Sequence, residues 1–152
     1  MKKLETSAYE LAQRFVGIKG VPGTTANPQI LSMLRLDESW PEDDSVPWCS
    51  AFVNYVAWLL RLPRSKSLLA RSWLTIGEVV SLNEAEPGLD VVIFKRGKGI
   101  QPGPKVINAP GHVGFYAGVE GSQILVLGGN QADSVSISPY AKSVLLGVRR
   151  LA

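Results

Sequence analysis

The hydrophobic period of this chain changes once, and that change constrains its fold more than any other feature. Before about residue 80, apolar residues recur at helical intervals; beyond 90 they come as short β-branched runs and alternations. Helices first and an antiparallel sheet after them predict an α+β domain, not alternating βαβ units. The 152 residues fit one domain, 1–152, with no repeat or linker, and 45% apolar content supplies a core. The longest apolar runs are four or five residues. A bilayer span needs roughly 18–20, so no stable membrane insertion is expected.

The elements follow from punctuation. Ser7-Ala8-Tyr9-Glu10 has capping-box spacing, and Leu4, Ala8, Leu11, Ala12 and Phe15 recur helically around it. Gly17, Gly20 and Val21-Pro22-Gly23 end that helix. Asn27-Pro28 is a cap followed by proline at the first helical position, opening a helix with Ile30, Leu31, Met33 and Leu34. After an acidic loop stiffened by Pro41 and Pro47, a third helix begins near Cys49 and stops before Pro63. Its Ala51, Phe52, Tyr55, Val56, Leu59 and Leu60 suit burial against a sheet. A short helix is expected over 68–76, a buried strand over 91–94 and a Gly/Pro-rich loop over 96–111. Strands over 112–119 and 123–127 form a hairpin through Glu120-Gly121-Ser122, and strands over 134–138 and 144–149 complete the sheet.

The net charge of +3 is a mild excess, but it is segregated. Asp37, Glu38, Glu42, Asp43 and Asp44 form one acidic run; Arg61, Arg64, Lys66 and Arg71, then Lys95, Arg96, Lys98 and Lys105, form two basic ones. These are solvated faces or an attraction for a polyanionic partner. No basic helix with interleaved aromatics and no finger or RNP-like motif occurs, so no nucleic-acid partner is assigned. One cysteine excludes an internal disulfide, and one cysteine with one histidine excludes a four-ligand Cys/His zinc site. The acidic run lacks the spacing and closing glutamate of an EF-hand loop, so no metal and no cofactor is expected. Met1-Lys2-Lys3-Leu4-Glu5 carries charge without an apolar stretch behind it, so synthesis in the cytoplasm without a signal peptide is expected.

The only thiol lies in Pro47-Trp48-Cys49-Ser50-Ala51-Phe52, where a loop enters an apolar helix. A helix N-terminus offers unpaired N–H groups and partial positive charge, which favour a thiolate and can hold an oxyanion. A buried inert cysteine is the alternative. The only histidine lies in Pro110-Gly111-His112-Val113-Gly114, at a strand entrance; a capping or surface histidine is its alternative. A thiol nucleophile needs a base, and the base an orienting group. With a three-residue turn, Val119 faces Gln123 and His112 faces Asn130, whose side chain is then on the same face. Gly128-Gly129 lets the backbone approach closely there. A two-residue turn instead shifts the register and turns Asn130 to the other face.

These residues resemble the papain-like cysteine peptidoglycan hydrolases of the CHAP and NlpC-type groups, most closely small phage-endolysin-like proteins. The blocks that carry the resemblance are Pro47-Trp48-Cys49-Ser50-Ala51-Phe52-Val53-Asn54 and Leu69-Ala70-Arg71-Ser72-Trp73-Leu74, then Gly111-His112-Val113-Gly114-Phe115 and Val126-Leu127-Gly128-Gly129-Asn130-Gln131. Leu89-Asp90 stands where such proteins usually have Gly-Asp, which affects a turn. The resemblance implies a papain-like fold with N-terminal helices packed on a C-terminal antiparallel sheet. It implies hydrolysis of an amide bond in bacterial peptidoglycan, with Cys49 as nucleophile, His112 as base and then acid, and Asn130 as orienting group. The Cys49 N–H would be one oxyanion donor. Ser50, Trp48, Asp44 and Trp73 are the candidates for substrate binding, Asp43 and Asp44 as receivers of a peptide amino group. A monomer is expected, acting on the cell wall after release through a holin or a secretion system. A secretion-system effector with the same chemistry and a non-catalytic wall-binding module are the competing readings, with a cysteine peptidase or transferase acting on proteins as a third.

Overall fold

A computed structural model describes residues 2–21 and 26–152. The expected break at Val21-Pro22-Gly23 therefore falls mostly outside the described residues.

The three helices start where capping chemistry allows. For α1 (Ala8–Gln13), the Glu10 N–H donates to Ser7 Oγ at 3.1 Å and the Ser7 N–H donates to Glu10 Oε2 at 2.8 Å. For α2 (Pro28–Leu34), Asn27 Oδ1 accepts the Gln29 N–H at 2.8 Å. Helix α3 (Cys49–Leu59) differs: its N-cap is Trp48, and no side chain caps its first N–H groups. Where a short helix was expected over 68–76, the chain makes a tighter 3-10 helix, Ala70–Thr75. The Ser72 and Thr75 hydroxyls donate to the carbonyls of Leu69 and Ser72, three residues back, which suits that tighter repeat.

Six strands follow: β1 (Glu78–Val80), β2 (Asp90–Lys95), β3 (Gly111–Glu120), β4 (Gln123–Gln131), β5 (Ser134–Ala141) and β6 (Leu145–Arg150). They form one antiparallel sheet in the order β1-β6-β2-β3-β4-β5. The expected strands are all present. Strand β1 was not anticipated; three residues carry no periodicity, and only pairing with β6 defines it. The α+β architecture matches the sequence expectation.

The helices pack on one face of the sheet. Phe52 of α3 is fully buried and meets Phe115 of β3 edge-on, with ring centroids 6.0 Å apart. Burying such a ring contributes roughly 1.5–3 kcal/mol. The other face carries a second cluster of Val92, Phe94, Tyr116, Ile124, Val126 and Val148. Phe94 of β2 stacks on Tyr140 of β5 at 4.9 Å, although two strands lie between them. A flat sheet would hold β2 and β5 about 14 Å apart. The sheet is therefore curled around this cluster, and the curl brings β5 side chains over the start of β3. Asp90, fully buried, accepts from Arg150 Nε at 2.8 Å and ties the start of β2 to the end of β6. Among the described residues no helix is long and apolar enough to cross a membrane.

Candidate active site

Cys49 is the first residue of α3 and is 2% exposed. The backbone N–H groups of Val113, Ser50 and Cys49 itself lie near enough to favour its thiolate. Burial pushes the thiol pKa up; those N–H groups and the charge of Arg96 pull the other way without overcoming it. Val113 directly follows His112, so Cys49 of α3 lies near the entrance of β3.

His112 is buried at 4% exposure, and its ring stacks on Tyr140 with centroids 4.8 Å apart and planes 14° apart. Burial pushes its imidazole pKa down to about 4, the Gln131 hydrogen bond opposes that, and the Arg96 charge adds to it. These shifts leave Cys49 a thiol and His112 a neutral imidazole at neutral pH.

The tautomer follows from Gln131. The Gln131 Nε2 amide donates to Val126 O at 3.2 Å and Ser136 O at 2.8 Å, two groups that only accept. Its Oε1, 2.9 Å from His112 Nε2, must therefore be the acceptor. His112 carries its proton on Nε2 and keeps the Nδ1 lone pair free to take another.

The orienting residue is a correction to the expectation of Asn130. The hairpin turn is Gly121-Ser122, two residues long, with Glu120 facing Gln123. That shift is undone by a bulge between Tyr116 and Gly118, so Phe115 faces Leu127 and the count again leads from His112 toward Asn130. Strand β4 then departs from regular geometry. Asn130 adopts φ 56°, and the register to β5 slips between Gly128 and Gln131. The next side chain, Gln131, is the one delivered to the imidazole. Gly128 and Gly129 do allow the close approach expected of them: a Cβ on Gly129 would lie 2.7 Å from Trp48 and 2.8 Å from Phe52.

No protein-family model matches the sequence, and no curated protein matches it either. Solved structures do. NlpC1 from Trichomonas vaginalis superposes with a TM-score of 0.58 at 17% identity over 99% of this chain and 46% of its own. NlpC2 from the same organism gives 0.55 at 16%, over 99% of this chain and 48% of its own. The peptidoglycan hydrolase RipB from Mycobacterium tuberculosis gives 0.51 at 21%, over 95% of this chain and 64% of its own. The chain has the NlpC-type papain-like fold. It spans about half the length of the two Trichomonas proteins.

Within this NlpC-type fold, Cys49 opens into a cleft of about 410 Å³. Pro47 and residues 68–70 form one wall; Arg96, Gly97 and residues 108–111 form the other. A larger open groove of about 660 Å³ beside α1 contains neither Cys49 nor His112. The four substrate-binding candidates are not in the cleft wall, because each is engaged internally. Trp48 is fully buried, with its indole Nε1 3.4 Å from Asp133 Oδ1. Trp73 is fully buried and donates to Ser50 Oγ at 2.9 Å. Ser50 Oγ in turn donates to Ser67 O at 2.6 Å. Asp44 accepts the N–H groups of Asn27 at 2.7 Å and Val21 at 3.2 Å, so it anchors the chain before α2. Asp43 is exposed, and its Oδ1 accepts the Ser45 N–H at 2.9 Å.

Two residues of the site, Tyr140 and Arg96, were missed from sequence, and Gln131 stood only second to Asn130. Gln131 was hidden by the irregular end of β4. Tyr140, its phenol pushed up to about 12 by burial and the neighbouring Cys49, reaches His112 only because the sheet curls. Arg96 is exposed on the loop after β2, where its charge acts on Cys49, His112 and Tyr140 alike. Among the described residues no group of three or more His, Cys, Asp or Glu side chains gathers to hold a metal.

Proposed function

We propose that this protein is a cysteine hydrolase that cleaves an amide bond in bacterial peptidoglycan. The observation that carries the proposal is the thiol of Cys49 at a helix start in the lining of a cleft, beside the strand that begins with Gly111-His112, whose His112 Nε2 is held by Gln131. The NlpC-type fold and its likeness to a peptidoglycan hydrolase support the substrate class.

In this mechanism His112 Nδ1 takes the Cys49 proton as the sulfur attacks the amide carbon. A C–S bond forms and the carbonyl oxygen becomes an oxyanion, which the Cys49 N–H can meet at the start of α3. The imidazolium is held by Gln131 Oε1, a neutral acceptor. It returns the proton to the leaving nitrogen as the C–N bond breaks. Water, deprotonated by Nδ1, then cleaves the thioester and restores the thiol.

The test is lysis of purified cell walls with mass spectrometry of the released fragments. Cys49→Ala and His112→Ala should be inactive, iodoacetamide should abolish lysis and EDTA should leave it intact. Loss with EDTA restored by zinc would overturn the mechanism. The fragment masses identify the bond. Delivery as a phage lysin or as a secretion-system effector is distinguished by a holin or an immunity gene beside the coding sequence.

A further inference from the structure

Arg71 is a charged side chain with no exposed surface. Among the described residues it makes no ion pair. A buried cation without a carboxylate is costly, several kcal/mol by order of magnitude. Its donors go instead to main-chain carbonyls: Nε to Pro110 at 2.9 Å, and Nη1 to Pro102 and Gly103 at 2.9 Å and to Val106 at 3.1 Å. Among the described residues Nη2 has no partner, although it is buried. All four carbonyls belong to one segment, residues 96–110 between β2 and β3, which has no regular structure. Fifteen residues without an element of their own are unusual in a compact domain and need something to fix their shape.

The place of Arg71 gives these bonds a consequence. Its neighbours Leu68, Leu69 and Ala70 form one wall of the Cys49 cleft, and the segment it grips, with Gly111, supplies the other, the two meeting where Gly111 abuts Ala70. A Cβ on Gly111, at the cleft's edge, would lie 2.9 Å from Arg71 Cγ. One side chain thus spans from one wall to the carbonyls of the other. The planar fork explains the residue type, because a lysine ammonium concentrates its donors at one point, whereas the guanidinium donates from two separate nitrogens, Nε to Pro110 and Nη1 to residues 102–106.

We propose that Arg71 is a positioning residue that sets the width of the cleft by clamping the 96–110 segment against the Ala70–Thr75 turn. The proposal rests on Cys49 being the working nucleophile only for its effect on lysis. The clamp itself is tested without substrate, using Arg71→Lys and Arg71→Met. Trypsin should cut at Lys98 and Lys105 at least about tenfold faster in both variants, and iodoacetamide should alkylate Cys49 faster by a similar factor. In wild type, the Arg71 Nε proton should exchange with solvent far more slowly than that of an exposed arginine, a measurement that does not need a variant to fold. In wall lysis the variants should raise KM about tenfold with kcat changed only a few-fold, a split that a general loss of folded protein would not produce. Wild-type cleavage and alkylation rates in a folded Arg71→Lys, or a fast-exchanging Arg71 Nε proton, would overturn the clamp. If wild type lyses no wall while the loop still opens in the variants, the clamp stands and the proposed function fails.

Discussion

Acidification should destabilise this protein through its single histidine, by an amount the burial of His112 fixes. In the unfolded chain the imidazole titrates at its ordinary value of 6.5, whereas burial holds it down to about 4 in the fold. The unfolded state therefore takes up the proton first. The stability linked to this group is complete above pH 6.5, erodes as pH falls through the interval, and is lost below 4. A gap of about 2.5 pH units at about 1.36 kcal/mol each amounts to roughly 3.4 kcal/mol, of which about 2 kcal/mol should be gone by pH 5. At 4% exposure, solvent screening does little to reduce it. Urea unfolding of wild type and His112→Gln at pH 7, 6 and 5 isolates the effect, because both proteins share all the carboxylates. The stability difference between wild type and variant should shift by about 2 kcal/mol against wild type from pH 7 to 5. An NMR titration of the only imidazole gives the value directly. An imidazole titrating at or above 6.5, or parallel stability curves, would refute the lowering of His112 by burial.

Gln131→Ala removes the acceptor of His112 Nε2–H, and should cost about 1–3 kcal/mol of stability and about 10²-fold in lysis. Asn130→Gly should leave lysis unchanged and stability equal or up to about 1 kcal/mol higher, since its φ of 56° suits glycine. Ser50→Ala strips a buried partner from Trp73 Nε1, so urea unfolding should report a loss of about 1–3 kcal/mol with activity per folded molecule retained. Arg96→Gln takes away the cation that helps the thiolate; Cys49 alkylation at fixed pH should slow, and its pH profile should move upward. Lysis should also slow as salt rises from low to moderate if the basic loops steer the protein to an anionic wall, through Lys95, Lys98, Lys105, Arg61, Arg64 and Lys66 but not the buried Arg71.

The helices and the sheet were legible because their signals are local. A serine with a glutamate three residues on, Asn27 before Pro28, and β-branched runs each state their own conformation. Cys49 and His112 could be singled out from sequence because the chain holds one cysteine and one histidine. The third residue was not. Its identity depends on a turn one residue shorter than counted, a compensating bulge near Ala117, and a left-handed Asn130 that advances the next side chain. Asparagine after two glycines was the available clue, since it tolerates positive φ better than most residues. The four binding candidates lie outside the cleft lining for a different reason. A serine, two tryptophans and an aspartate beside a nucleophile serve a cleft or a core equally well by type, and here Trp73–Ser50–Ser67 is a hydrogen-bonded chain inside the protein.

The burial of Cys49 also governs its redox chemistry. Peroxide and disulfides react with the thiolate, and its fraction falls tenfold for each unit by which the thiol pKa rises. A cysteine that is 2% exposed and pushed above its ordinary pKa is shielded twice, by access and by protonation. The lone thiol should therefore be slow to form sulfenic acid or an intermolecular disulfide, and the chain has no second cysteine to resolve either lesion. The packing of α3 beside the entrance of β3 that buries Cys49 would then also set its resistance to oxidation.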